Sequence, residues 1–215
     1  MNPFPLIISS PSGGGKTTIS RLLLERRKDV GYSVSATTRP PRGNEVHTRD
    51  YFFVSRPEFV AMRERGEFAE SAEVHGNLYG TLRSQVDHVL GLERHVIMDI
   101  DVQGARQFRA AYPESVLVFL LPPSAEALMQ RLTGRQTESG DGFRTRVRAA
   151  REELRAAVSY QYAVVNDDLE SAYRVVSSII DAEAVRHARQ PQLTARVTAL
   201  VEELDRHLVQ LSTPA

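Results

Sequence analysis

The stretch LIISSPSGGGKTT, residues 6 to 18, decides how the rest of the chain is read. Leu6, Ile7 and Ile8 form a short apolar run that ends in Ser9, Ser10 and Pro11; after Ser12, the glycines Gly13, Gly14 and Gly15 lead straight into Lys16, Thr17 and Thr18. This order predicts a strand, a glycine turn and a helix start. Glycine lets the backbone turn tightly and aim successive N–H groups inward, so the turn and the helix N-terminus make a concave anion site. Residues 10–18 would cradle a polyphosphate, with the Lys16 ammonium reaching the outer phosphates and the Thr17 hydroxyl placed for a Mg²⁺ that bridges them. The pattern G-x-x-x-x-G-K-[ST] is met at Gly15, Lys16 and Thr17, but Ser10 stands at its first glycine. A serine at positive φ would cost about 1–2 kcal/mol, so Gly13 and Gly14 are expected to take up the awkward geometry.

A chain of 215 residues, 41% of them hydrophobic, can bury one sizeable core. Lys and Arg number 27 against 27 Asp and Glu, so the formal net charge is zero and no global field draws the molecule to nucleic acid or an anionic membrane. Without cysteine there is no disulfide, thiolate catalysis or cysteine-ligated metal, and the six histidines show no ligand spacing. The segment MNPFPLIIS is no secretory signal, and the longest apolar run, residues 116–121, is far short of the roughly 20 residues that span a bilayer. A cytoplasmic protein with neither membrane nor nucleic-acid partner is expected.

Downstream, helical and strand patterns alternate. Residues 17–28 predict a helix through Ile19, Leu22 and Leu23, and Tyr32, Val34 and Ala36 alternate with polar residues as one short strand. A polar loop rich in Pro, Gly and Arg fills 38–50; 51–54 is β-like; Ser55, Pro57 and Glu58 open a helix to Arg65. Residues 68–74 alternate and turn at 75–77 into 78–80, a small antiparallel piece. Strands are expected at 95–100, 116–121 and 162–165, and helices at 103–112, from Ser124 through Leu132, and at 169–185 and 193–211. The segment 133–142 should be mobile, and Phe143, Val147, Ala150, Leu154 and Val158 mark one face of a long charged helix. These alternations predict a single α/β domain around a parallel sheet, with ligands at the carboxyl ends of its strands and two polar insertions, 33–92 and 124–146, as flaps over the cradle.

Asp99, at the end of the apolar run from His95, is either a helix cap or a carboxylate that holds Mg²⁺ or its water. Arg39, Arg42, Tyr51 and Tyr79 offer two guanidiniums and two phenols, enough to hold a monophosphate. Glu70, with the hydroxyls of Ser35 and Thr81, could read guanine, Glu70 accepting from N1–H and N2–H₂ and Thr81 donating to O6. Read alone, the loop carrying the arginines also fits a structural turn or a basic RNA-contacting patch.

The stretches SPSGGGKTT, SVSATTRPPRGNEVHTRDYFFVS, FAESAEVHGNLYGT, VIMDIDVQG, RLTGRQTE and VVND occur in this order over roughly residues 4 to 190, and together they resemble the guanylate kinase family. The resemblance implies a P-loop kinase core with a five-stranded parallel sheet, a GMP-binding insertion over 33–92, a lid over 124–146 and a C-terminal helix over 191–215. It implies phosphorylation of GMP by MgATP, with ATP and GMP as small-molecule partners and a homo-oligomer left open. Matched by position, the GMP phosphate would meet Arg39, Arg42, Tyr51 and Tyr79, and guanine would meet Ser35, Glu70, Thr81 and Asp101. ATP would meet Ser10, Pro11, Ser12, Gly13, Gly14, Gly15, Lys16, Thr17 and Thr18, with Asn166 beside the adenine. Lys16, Arg39, Arg135 and Arg146 would stabilise transferring charge, and Thr17 and Asp99 would serve Mg²⁺. Two rivals are a P-loop kinase for another phosphorylated acceptor, against which Glu70 and Thr81 argue, and a non-catalytic module of the same build, against which Lys16 argues.

Overall fold

The computed structural model describes residues 2–74, 76–133 and 140–212. Its central sheet has five parallel strands in the order β2 (Val30–Tyr32), β7 (His95–Met98), β1 (Pro5–Ser9), β8 (Val116–Leu121), β9 (Tyr162–Val165). Both faces are covered, which is why β1, β7 and β8 read as nearly unbroken apolar runs. Leu6 and Ile8 of β1 point to the face where α1 (Lys16–Arg26) and α7 (Leu169–Ala184) pack through Ile19, Leu23, Val176 and Ile180. Ile7 points to the other face, against Val86 and Val89 of α3 (Arg83–Gly91) and Phe108 of α4 (Val102–Ala111).

A second sheet has the order β4 (Phe52–Phe53), β3 (Ala36–Thr37), β6 (Asn77–Leu82), β5 (Phe68–Val74). It is backed by α2 (Arg56–Glu64), whose Phe59 stacks on Phe68 with ring centroids 4.4 Å apart. Its β3–β4 pairing is parallel, the others antiparallel. The single strand expected at residues 32–36 is divided between the sheets: Val30 packs in the central core, Ala36 in the cluster with Phe59. Alternation marks a half-buried strand but does not name the sheet it joins.

Helices α5 (Ala125–Thr133) and α6 (Gly140–Arg155) pack through Leu128, Leu132, Phe143, Val147, Ala150 and Leu154. Val158 does not extend that face, because α6 ends at Arg155 and a 3-10 turn over Ala156–Ser159 leaves Val158 93% exposed. Arg135 and most of the polar segment expected to be mobile lie outside the described residues. A last helix, α8 (Leu193–Ser212), carries exposed Val197, Leu200, Leu204 and Leu208. Among the described residues, no helix is long and apolar enough to cross a membrane.

Between β1 and α1 the chain makes a glycine turn. Gly13 (φ 80°) and Gly15 (φ 93°) hold the left-handed positions, while Gly14, expected to be one of them, does not. Ser10 also lies outside the left-handed region. Gly14 is required for a different reason: a Cβ there would stand 2.5 Å from the Ser10 Cβ and 2.9 Å from the Pro11 carbonyl oxygen. Ser10 is 1% exposed, so its side chain already fills that space. Overpacking of this kind costs about 1–3 kcal/mol, and urea unfolding should show Gly14→Ala destabilised by that amount. Adding Ser10→Gly should recover part of the loss, since the two side chains compete for one volume, whereas Ser10→Gly alone should leave turnover within about three-fold, the loop keeping its glycine geometry. Additive losses in the double variant would show that the two positions do not compete.

Candidate active site

The carboxyl ends of the parallel strands, the second sheet and α6 enclose a cleft of about 840 Å³. On its floor lies the glycine turn. Gly15 is the N-cap residue of α1; no side chain caps the helix and its first turn carries no acid, so the positive end of the helix dipole faces the cleft. Lys16, Thr17 and Thr18 line the cleft beside Ser10, Ser12, Gly13 and Gly15. Pro11 and Gly14 are buried in the turn, which the Gly14 N–H closes onto the Pro11 carbonyl at 2.8 Å.

Asn166 stands behind the turn rather than in the cleft. It is 5% exposed and donates from Nδ2 to the Gly14 carbonyl at 2.9 Å, while Arg131 donates to the Asn166 carbonyl at 3.0 Å. Its amide therefore braces the loop from below.

Beside the turn, the Thr17 hydroxyl donates to Asp99 Oδ2 at 2.7 Å. Asp99 follows β7, and the register is held by Ser9 at the end of β1, whose hydroxyl donates to the Ile100 carbonyl at 2.8 Å. The Tyr32 phenol also faces Asp99; burial and that carboxylate push its pKa well above the usual range. A hydroxyl and a carboxylate are hard oxygen donors suited to Mg²⁺, which keeps several waters and shares its remaining positions with phosphate oxygens. Among the described residues, no cluster of three or more His, Asp or Glu could hold a metal by itself.

The second sheet supplies the opposite wall. Glu70 of β5 is 8% exposed and accepts from the Thr81 backbone N–H at 3.1 Å and the Thr81 hydroxyl at 2.7 Å. Burial raises the Glu70 carboxyl above the ordinary carboxylate range, the Thr81 bonds partly opposing it. Asp101 caps α4 by accepting from the Gly104 N–H at 2.8 Å. A Cβ at Gly104 would come within 3.0 Å of Glu70 Oε2, so the missing side chain lets the carboxylate rest against the α4 N-terminus. Ser35 lines the same wall.

Arg39, 6% exposed, is folded behind Tyr51, its guanidinium 5.3 Å from that ring centroid. It grips Glu45 through both oxygens at 2.8 and 2.9 Å. Glu45 also accepts from the Arg42 N–H at 2.8 Å, and Arg39 first among its partners pulls its carboxyl down to about 2. Tyr51 and Tyr79, ring centroids 6.2 Å apart, line the cleft in front of this pair, and the Arg42 side chain is exposed. The fourth side is α6, which presents Thr145, Arg146, Ala149 and Glu153.

The structure thus gathers Lys16, Thr17, Asp99, Asp101, Ser35, Tyr51, Glu70, Tyr79, Thr81 and Arg146 into one cleft. Three participants escaped the sequence reading. Glu45 follows Arg42 by three residues in a basic loop, a spacing that could have marked it. Glu153 follows Arg146 by two helical turns but is hidden among other charges. Tyr32 reads in sequence only as a strand residue.

The residues 2–183 match the model of the family described as guanylate kinase. The chain is 47% identical to a guanylate kinase of Nitrosomonas europaea over 184 residues, covering 86% of this chain and 92% of that one. It is 44% identical to a guanylate kinase of Dechloromonas aromatica over 198 residues, 92% and 96% of the two chains. A crystal structure of guanylate kinase from Anaplasma phagocytophilum superposes with a TM-score of 0.72 at 34% identity, over 90% of this chain and 92% of that one. An uncapped anion cradle at the end of a parallel sheet, a buried carboxylate facing it and these likenesses have one source: the chain belongs to the guanylate kinase family, and is a kinase.

Proposed function

We propose that the protein transfers the terminal phosphoryl group of MgATP to GMP, and to dGMP likewise, giving ADP and the diphosphate, in the cytoplasm and as part of nucleotide salvage and GTP supply. The observation that carries the acceptor is Glu70, a buried carboxylate set across the cleft from the Lys16 cradle. Guanine presents N1–H and N2–H₂ donors where adenine has a bare N1, so an ionised carboxylate selects guanine. Read from the residues alone, Thr81 is expected to donate to O6. Its hydroxyl proton is directed at Glu70, so towards a base it offers lone pairs, and the Ser35 hydroxyl takes the donor role.

In this reading residues 33–92 are the GMP-binding insertion, 124–146 the lid and 191–215 a C-terminal appendage. Tyr51 and Tyr79 receive the GMP phosphate with Arg39 and Arg42, and the donor phosphates occupy residues 10–18. Asn166 serves the donor site through the loop it braces. Thr17 and Asp99 would hold Mg²⁺, which when bound neutralises phosphate charge as the phosphoryl group moves. Lys16, Arg39, Arg135 and Arg146 add fixed positive charge, and the closed cleft excludes water. No protein base is needed, because the acceptor is already an anionic phosphate oxygen. The retained Lys16 and the ordered cleft favour an enzyme over a non-catalytic module of the same build.

ADP release measured with MgATP across a panel of nucleoside monophosphates tests this directly. GMP should be the preferred acceptor, and equal use of AMP would overturn the guanine assignment. Lys16→Met should abolish turnover with an unchanged circular dichroism spectrum and melting temperature, the lysine being a cation at the first position of α1 with no core role; near-normal turnover would remove it from the cradle. For Glu70→Gln, a lost hydrogen bond to a charged group contributes about 1.5–3 kcal/mol, which predicts a fall of about ten- to a hundred-fold in kcat/KM for GMP with KM for ATP unmoved. The same variant has a pH signature. Because the Glu70 carboxyl is raised in the folded protein, the folded state holds that proton more tightly and the empty protein loses stability as pH climbs from the ordinary carboxylate value through the raised one. Glu70→Gln should flatten that decline in urea titrations run across the range, and an unchanged slope would place its origin elsewhere.

A further inference from the structure

Glu153 stands seven residues after Arg146 on α6, with Ala149 between them, so the three share one face of the helix, and that face lines the cleft. Glu153 Oε2 accepts from the Ser12 backbone N–H at 3.1 Å, joining α6 to the phosphate loop across 141 residues of sequence. Ser12 precedes the glycine turn, so this bond leaves the N–H groups at the α1 start free for phosphate. The carboxylate is half-buried; burial raises its pKa, and the Ser12 N–H and the Lys16 charge pull it back. A desolvated acid is thus retained beside a site built for anions, where its own charge opposes the donor phosphates. A fixed mechanical connection accounts for it.

We propose that Glu153 is a positioning residue, its bond to the Ser12 amide setting the distance between α6 and the phosphate loop so that Arg146 stands over the transferring phosphoryl group. The inference rests on the kinase reading above and on Arg146 as a phosphate ligand, and it adds the residue through which Arg146 is placed. Arg146 rides on a helix whose packing partner, α5, touches it through Leu128 and Leu132, contacts that fix α6 against α5 rather than against the loop. Arg131 of α5 meets the loop beside Gly13 and reaches Asn166, and the Ser12 bond adds the direct link between α6 itself and the loop.

The test uses the full chain with Glu153→Ala, Glu153→Gln, Arg146→Ala and the Glu153→Ala/Arg146→Ala pair, measuring kcat and KM for each substrate and the affinity for a non-hydrolysable ATP analogue by calorimetry. A misplacement of about 1 Å can cost a hundred-fold in rate, so Glu153→Ala should lose roughly ten- to a hundred-fold in kcat/KM for ATP, with KM for GMP within about two-fold. Glutamine keeps an acceptor oxygen at the same reach, so Glu153→Gln should stay within about three-fold of the parent chain. The double variant should be no more than about three-fold worse than Arg146→Ala alone, since the two residues act as a unit. A purely structural role would lower both substrates' parameters together with the melting temperature, and would overturn the proposal. So would a tighter ATP affinity in Glu153→Ala, which would make the carboxylate an obstacle, a Gln variant as poor as Ala, or additive losses in the pair. If Arg146→Ala costs activity and Glu153→Ala does not, the positioning role alone falls; if the parent chain fails to phosphorylate GMP, both readings fall.

Discussion

A helix start that binds phosphate must leave its first N–H groups without partners, and every element around α1 is arranged so that it can. No side chain caps the helix and no acid sits in its first turn. The Gly14 and Thr18 N–H groups close onto the Pro11 and Gly15 carbonyls, so the chain must hold the donors between and around them open. It does so from three sides: buried β1 fixes where the turn begins, Asn166 at the end of β9 holds the Gly14 carbonyl, and Glu153 on α6 takes the Ser12 N–H. Two braces come from the central sheet and one from α6, all distant from the turn in sequence or held by the packed core, so the loop geometry depends on the completed tertiary structure and not on local propensity.

Charge in the cleft follows a second logic. The acids and bases that would serve substrate are already engaged: Arg39 by Glu45, Glu70 by Thr81, and Asp99 by Thr17. At these three positions binding exchanges one set of partners for another, so those side chains need not be ordered from free solution, which lowers the entropic cost of recognition; the exposed Arg42 side chain has no such saving. The strongest such pair, Arg39 with Glu45, is bidentate and stacked near Tyr51, a geometry that a lysine could not reproduce.

Much of this was legible in the sequence because it is periodic or local. Apolar runs at 6–8 and 116–121 marked central strands, caps at Ser55 and Ser124 sit where helices begin, and the glycines marked the turn into α1. What escaped was long-range. The split between β2 and β3 depends on which sheet a half-buried residue meets, and no pattern within six residues states that. The role of Glu153 depends on an amide 141 positions away, and in an Arg- and Glu-rich helix its charge carries no distinguishing mark. Asn166, expected beside the adenine, turns its side-chain amide to the Gly14 carbonyl.

The crowding between positions 10 and 14 bears on how this loop can change over time. Serine at 10 fills part of the space that a side chain at 14 would need, and the Pro11 carbonyl oxygen crowds the rest, so a β-carbon at 14 needs both glycine at 10 and a small shift of the turn. A lineage moving from one arrangement to the other cannot pass through the doubly substituted loop without strain, which leaves the loop with glycine at both positions as the open intermediate. That intermediate is looser, since each glycine adds freedom to the unfolded chain. The order of two single substitutions is thereby set by packing inside a turn of five residues, before phosphate affinity enters.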